Sequence, residues 1–126
     1  MYLRFVTNRT DPDSHQPQGV FACAYTLLKS GDMTPAEHAH LTELLEWFEE
    51  NLPIPRSSRI TDRATFWYYE WAREPICRMW ELANLLEARD VFVSVQSCKT
   101  LGCCLYRDAF QVAAYPSAYN APVRTR

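Results

Sequence analysis

The chain has 126 residues and a formal net charge of −2 at pH 7; 48% of its residues are hydrophobic and 13% are aromatic. This length suits one ordinary domain, and the apolar content argues against an extensively disordered chain. The near balance of 13 basic and 15 acidic residues excludes a strongly basic protein that binds DNA or anionic membranes through net charge alone.

The sequence also predicts where the protein resides. No apolar run approaches the roughly 20 residues of a membrane span, and the first ten residues, MYLRFVTNRT, lack the apolar segment of a secretory signal. The five cysteines are an odd number and show no disulfide framework spacing. We therefore expect a cytoplasmic protein that does not associate with membranes.

The N-terminal residues predict a strand followed by a helix. Tyr2–Thr7 alternates polar and apolar residues and is rich in strand formers, with Leu3 and Phe5 expected to face the core. From Gln18 to Ser30, apolar residues recur at the spacing of an amphipathic helix. Gly31 can end this helix in a left-handed conformation.

A second helix has a strong start signal in the sequence TPAE at positions 34–37. Thr34 and Glu37 have the spacing of a capping box, and Pro35 occupies the first helical position. Five apolar residues form one stripe at helical spacing: Leu41, Leu44, Leu45, Phe48 and Leu52. We expect this helix to end before Pro53.

The aromatic run FWYYEW at positions 66–71 needs a structural explanation. A predicted third helix from Arg63 to Ala88 places Trp67, Tyr68 and Trp71 on one broad apolar arc. An arc of this width is typical of a helix packed between neighbours. We therefore expect most of the aromatic run to belong to the core.

Two aromatic residues do not fit that arc. Phe66 projects onto the polar side of the predicted helix, and Tyr69 lies at its edge near Arg73. These residues either contact a partner or are covered by the preceding loop. Pro75 also falls inside the predicted helix, where a proline bends the axis or divides the helix in two. We favour a bend over a division.

The last third of the chain predicts three strands. Asp90–Ser97 alternates with valines on one face. Gly102–Tyr106 and Ala109–Tyr115 are expected to form a hairpin around Arg107 and Asp108.

The element order β-α-α-α-β-β-β predicts an α+β fold. The first strand must join the last three, because a single strand cannot satisfy its own backbone hydrogen bonds. We expect a four-stranded, mostly antiparallel sheet with three helices packed on one face. Residues 1–116 form the predicted domain, and residues 117–126 a flexible tail.

The face of this sheet without helices is the main predicted binding surface. If Val112 and the strand valines point toward the helices, Gln96, Gln111 and Cys104 lie on the outer face with several aromatic residues. Aromatic residues beside arginine are enriched in protein interfaces. The candidate partner-binding residues are Tyr2, Arg4, Phe66, Tyr69, Arg73, Phe92, Tyr106 and Tyr115.

A second predicted surface concerns nucleic acids. Arg56, Arg59 and Arg63 form a small basic loop and, together with Arg4, could contact phosphates. Aromatic residues on an open sheet can also stack on bases. The absence of a basic charge balance favours a protein partner or a homodimer over this alternative.

Catalytic and metal-binding patterns are not evident. Cys98, Cys103 and Cys104 lack the paired spacing of zinc ligands, and His38 and His40 point to nearly opposite sides of a helix. The three glycines form no phosphate-binding loop. We therefore predict no catalytic residue, no metal and no cofactor, with a thiol- or metal-dependent enzyme as the third choice.

Five segments resemble a family of small, functionally uncharacterised bacterial proteins: MYLRFV, GVFACAYTL, EWFEENLPIP, AREPICRMWEL and YRDAFQVAAYP. The resemblance implies a bacterial, cytoplasmic, single-domain protein and assigns no activity or ligand. We expect a non-enzymatic binding or regulatory module that acts through protein contacts. A role in phage defence or counter-defence would suit its size.

Overall fold

The computed structural model describes residues 1–10, 17–52, 65–115 and 123–124 of the chain. Its helices are α1 (Val20–Ser30), α2 (Pro35–Asn51) and α3 (Arg73–Glu87). Its strands are β1 (Tyr2–Thr10), β2 (Pro17–Gly19), β3 (Thr65–Tyr69), β4 (Val93–Cys98), β5 (Cys104–Arg107), β6 (Gln111–Ala114) and β7 (Val123–Arg124). The rest of the predicted tail, 117–122 and 125–126, lies outside the described residues.

The five longer strands form one antiparallel sheet in the order β5-β6-β3-β1-β4. The short strands β2 and β7 pair with β1 and β4. The predicted α+β class with three helices is confirmed. The prediction of four strands is wrong, because the first part of the aromatic run adds a strand to the sheet.

This part of the aromatic run is a central strand and not the start of a helix. β3 pairs with β1 on one side and with β6 on the other, so its backbone groups form hydrogen bonds with a neighbouring strand on both sides. Aromatic residues have high strand propensity, which agrees with this pairing. The prediction of a third helix from Arg63 to Ala88 is therefore wrong over Thr65–Tyr69, and its first two residues lie outside the described residues.

α3 begins at Arg73, so Pro75 lies in the first turn of the helix. The first four N–H groups of a helix have no partner within it, and a proline there removes no helical hydrogen bond. The predicted bend at Pro75 is thus wrong. The true break precedes Arg73 and separates a strand from a helix.

The local signals of the first two helices are confirmed. The backbone N–H of Glu37 donates to Thr34 Oγ1 at 3.2 Å, and the backbone N–H of Thr34 donates to Glu37 Oε1 at 3.1 Å. Gly31 ends α1 with φ of 76°, a conformation that glycine adopts without steric cost. The predicted hairpin is also confirmed as β5 and β6.

The main core lies between the sheet and the helices. Phe5, Tyr68 and Val95 of the sheet are buried against leucines of α2 and α3. Among the largest fully buried side chains of this layer are Leu41, Leu44, Leu82 and Leu86.

The face of the sheet opposite the helices is also largely buried. The side chains of Val6, Trp67 and Val112 are at most 5% exposed. Val112 lies opposite Trp67 in the register, and Gln111 lies opposite Tyr68 on the helix-facing side. The predicted orientations of Val112 and Gln111 are therefore reversed, and Gln111 is buried. The turn between β5 and β6 determines which residues of β6 face the helices. The alternating pattern of one strand does not reveal which of its two faces that is.

Candidate interaction surface

Three aromatic side chains meet where β1 begins and β3 ends. Tyr2 lies opposite Tyr69 in the register, with ring centroids 5.7 Å apart. The indole of Trp71 stacks on the Tyr69 ring at 4.4 Å with an interplanar angle of 12°. Tyr69 is buried, whereas Trp71 is 64% exposed. We call Tyr2, Tyr69 and Trp71 the aromatic surface.

A tight turn between β3 and α3 holds Trp71 in this position. The backbone N–H of Ala72 donates to the Tyr69 carbonyl at 3.0 Å, and that of Arg73 donates to the Trp71 carbonyl at 2.8 Å. Ala72 is buried beneath the turn. The N-terminal ammonium of Met1 pairs with Glu70 at 3.5 Å and ties the start of β1 to the same turn. The prediction that Trp71 belongs to the core is wrong, because the residue follows the strand instead of continuing a helix.

An arginine and a thiol lie beside the aromatic surface. Arg107 and Cys104 of β5 lie opposite Val112 and Ala114, which places them on the same side of the sheet as Tyr69. A hydrogen bond to Cys104, and then the electrostatic effect of Tyr69, raise the pKa of Arg107 above its ordinary value. Arg107 is exposed and forms no ion pair with any residue that the structure describes. This end of the sheet therefore combines an exposed indole with an available cation.

The structure brings together only part of the predicted partner-binding set. Tyr2 and Tyr69 are in contact, and Arg73 is exposed two residues after Trp71. Phe92 is 56% exposed, but it lies at the other end of β1, where its backbone bonds to Asn8. At roughly 3.3 Å per residue, that position is about 20 Å along β1 from Tyr2. Phe92 thus does not belong to the aromatic surface.

The other predicted residues are dispersed. Phe66 is half-buried opposite Ala113 and faces the helix side of the sheet with Tyr106, whose hydroxyl donates to Asp108 at 2.9 Å. The Tyr115 backbone N–H bonds to the Cys103 carbonyl beyond β6.

Arg4 lies opposite Gln96 in the register, in the middle of the sheet. Burial lowers the pKa of Arg4 from its ordinary value. Arg56, Arg59 and Arg63 of the predicted nucleic-acid surface lie outside the described residues. The structure therefore does not show whether these three arginines lie near Arg4.

Sequence reasoning missed Trp71 and Arg107 as surface residues. The helical wheel assigned Trp71 to the core, and Arg107 was treated only as part of a turn. One usable signal was Pro75, since a proline is favoured in the first turn of a helix and predicts a helix start near Arg73. With that start, Trp71 falls in a turn before the helix.

No protein-family model matches the chain, and no significant match is found among curated proteins or solved structures. Within residues 1–10, 17–52, 65–115 and 123–124, no three or more His, Cys, Asp or Glu side chains are grouped to hold a metal. No helix in that same part of the chain is long and apolar enough to cross a membrane.

Proposed function

We propose that the protein is a small, non-enzymatic binding module that recognises a protein partner through the aromatic surface. The observation that carries this proposal is the exposed indole of Trp71, held flat against the buried Tyr69 ring. The proposed setting is the cytoplasm, as the sequence predicts, of a bacterium, as the family resemblance implies.

The stacking of Trp71 prepares it for binding. A tryptophan has few rotatable bonds, and its contact with Tyr69 restricts them further. A preorganised anchor loses less conformational entropy when a partner covers it. Tryptophan and arginine are the residues most often found at the energetic centre of protein interfaces. Trp71 and Arg107 together supply both types.

The geometry also indicates what the partner presents. An apolar side chain is needed to cover the free face of the indole. A carboxylate nearby would pair with Arg107, for which no acidic partner is found among the described residues. Charged hydrogen bonds of this kind add strength and orientation to an interface. We propose a protein segment that carries an apolar residue next to an acidic one.

A single-stranded nucleic acid is the second candidate, because an exposed indole beside an arginine can also stack on a base. The formal net charge of −2 supplies no general attraction for phosphates. Binding of this type would weaken steeply with added salt, whereas binding through an apolar anchor would weaken only slightly.

Affinity capture with matched baits tests the proposal. The parent protein, Trp71→Ala and Phe92→Ala are used as baits in nuclease-treated lysate of the native host, and captured proteins are quantified by mass spectrometry. Phe92 is the control, because it is similarly exposed but distant from the aromatic surface. We expect one protein to be captured by the parent and by Phe92→Ala and not by Trp71→Ala. The same protein, once purified, should bind the purified parent protein. Equal capture by all three baits, or capture that depends on nucleic acid, would contradict the proposal.

A further inference from the structure

A cleft of about 310 Å³ lies away from the aromatic surface, between the C-terminal half of α1, the end of β1 and the turn after α3. Two arginines, one carboxylate and several apolar side chains form its walls. The lining residues used below are Arg9, Leu27, Ser30, Asp32, Arg89 and Val91.

The turn after α3 places two of these residues at the cleft. The backbone N–H groups of Arg89 and Val91 both donate to the Leu86 carbonyl, at 2.9 and 3.0 Å. Between them, Asp90 adopts a left-handed conformation with φ of 64°. The Asp90 carbonyl lies 3.5 Å from Arg9 Nη2, which brings the β1 arginine to the same opening.

Both guanidinium groups have more donors than acceptors. Among the described residues, the Arg9 guanidinium makes the long contact to the Asp90 carbonyl, no other hydrogen bond and no ion pair. Arg89 Nη2 pairs with Glu37 at 2.6 Å and its Nε is buried, so a ligand in the cleft reaches only the exposed part of this guanidinium group. An anion in the cleft would supply acceptors for the exposed Arg9 guanidinium, and the exposed part of the Arg89 group would add to the attraction.

The remaining walls limit what kind of anion fits. The Ser30 hydroxyl donates to the Leu27 carbonyl at 2.6 Å, so its proton is already used. Leu27 and Val91 provide apolar contact area. Asp32 lines the cleft and Glu37 pairs with Arg89, so two carboxylates oppose a second negative charge on the ligand. The volume is at the lower end of the range of small-molecule sites.

We propose that this cleft binds a small organic monoanion with an apolar body, whose carboxylate is held by Arg9 and Arg89. The apolar body lies against Leu27 and Val91. This inference is independent of the proposed partner interaction, because none of these residues belongs to the aromatic surface.

The test is an NMR titration of the ¹⁵N-labelled protein with 4-phenylbutanoate and, separately, with its neutral amide. The two probes share the apolar body and differ in the charged group. We expect 4-phenylbutanoate to shift the backbone signals of Leu27, Ser30 and Val91, and the amide to bind at least about tenfold more weakly, since a charged hydrogen bond contributes about 1.5–3 kcal/mol. Signals of Trp71 and Arg107 should not move.

Two variants complete the test. Arg9 is exposed near the end of β1, so Arg9→Gln should fold normally and weaken 4-phenylbutanoate binding by about tenfold or more. Lys29→Gln removes an exposed cation of α1. Lys29 does not line the cleft, so this variant should bind 4-phenylbutanoate like the parent. Absence of shifts at the lining residues, equal binding of acid and amide, or an unchanged affinity of Arg9→Gln would each overturn the proposal.

Discussion

Replacing Trp67 with alanine should destabilise the fold far more than the same replacement at Trp71. Trp67 is 5% exposed, and its indole N–H donates to Thr65 Oγ1 at 2.9 Å. Loss of a buried tryptophan typically costs about 3–5 kcal/mol, a large part of a total stability of about 5–15 kcal/mol. Trp71 is 64% exposed and would lose mainly its stacking on Tyr69, which is worth about 0.5–1.5 kcal/mol.

This pair of substitutions distinguishes a strand from a helix. Residues four apart on a helix lie on the same face, so a helical aromatic run would bury Trp67 and Trp71 together. In the structure, Trp67 is in the middle of β3 and Trp71 follows the end of the strand. A large difference between the two costs is therefore expected only for the strand.

Urea denaturation followed by far-ultraviolet circular dichroism measures the difference, since tryptophan fluorescence changes with the substitution itself. At a slope of about 2 kcal/mol/M, a loss of about 4 kcal/mol lowers the midpoint by about 2 M. Trp71→Ala should lower it by less than about 0.8 M at the same slope. If Trp71→Ala lowers the midpoint as far as Trp67→Ala, the strand and the exposed position of Trp71 are both refuted.

Three further predictions concern local contacts. Hydrogen bonds with the Thr34 backbone and side chain are the leading causes that lower the pKa of Glu37. The contribution of Glu37 to stability is therefore present above about pH 4.5 and is lost as the pH falls through its lower folded-state pKa. Glu37→Gln should flatten this acid dependence of stability in urea denaturation, and an unchanged pH dependence would refute the prediction. The hydrogen bond to Glu49 raises the pKa of Tyr25 to about 12, and Glu49→Gln should return it toward 10 in an NMR titration of the ring. Asp108 accepts four hydrogen bonds across the β5–β6 turn, and Asp108→Ala should cost about 1–3 kcal/mol by urea denaturation, whereas a cost near zero would show that the turn forms without them.

The features that depend on neighbours in the chain could be predicted from the sequence. Thr34 and Glu37 form their capping box because both groups lie within one helical turn. Gly31 ends α1 because glycine tolerates the left-handed conformation. Such signals fixed the bounds of α1 and α2 to within about two residues, the usual uncertainty of helix ends.

The features that depend on distant pairing could not be predicted in the same way. The residues of β3 can form an apolar arc on a helix or the two faces of a strand, and only pairing with β1 and β6 decides between them. Tyr2 and Tyr69 were each identified as candidates, but their contact follows from the β1–β3 register. The cleft joins Arg9 to Arg89 from opposite parts of the chain, and no local pattern links them.

The affinity of the captured partner for the parent protein, Trp71→Ala and Phe92→Ala, measured by isothermal titration with purified components, tests the central proposal most directly. Truncation of a hot-spot residue costs at least about 2 kcal/mol, so Trp71→Ala should weaken binding by about thirtyfold or more. Phe92→Ala should remain within about twofold of the parent, because surface changes outside an interface are nearly neutral. A Trp71→Ala variant that folds normally and binds the partner as tightly as the parent would contradict the proposal.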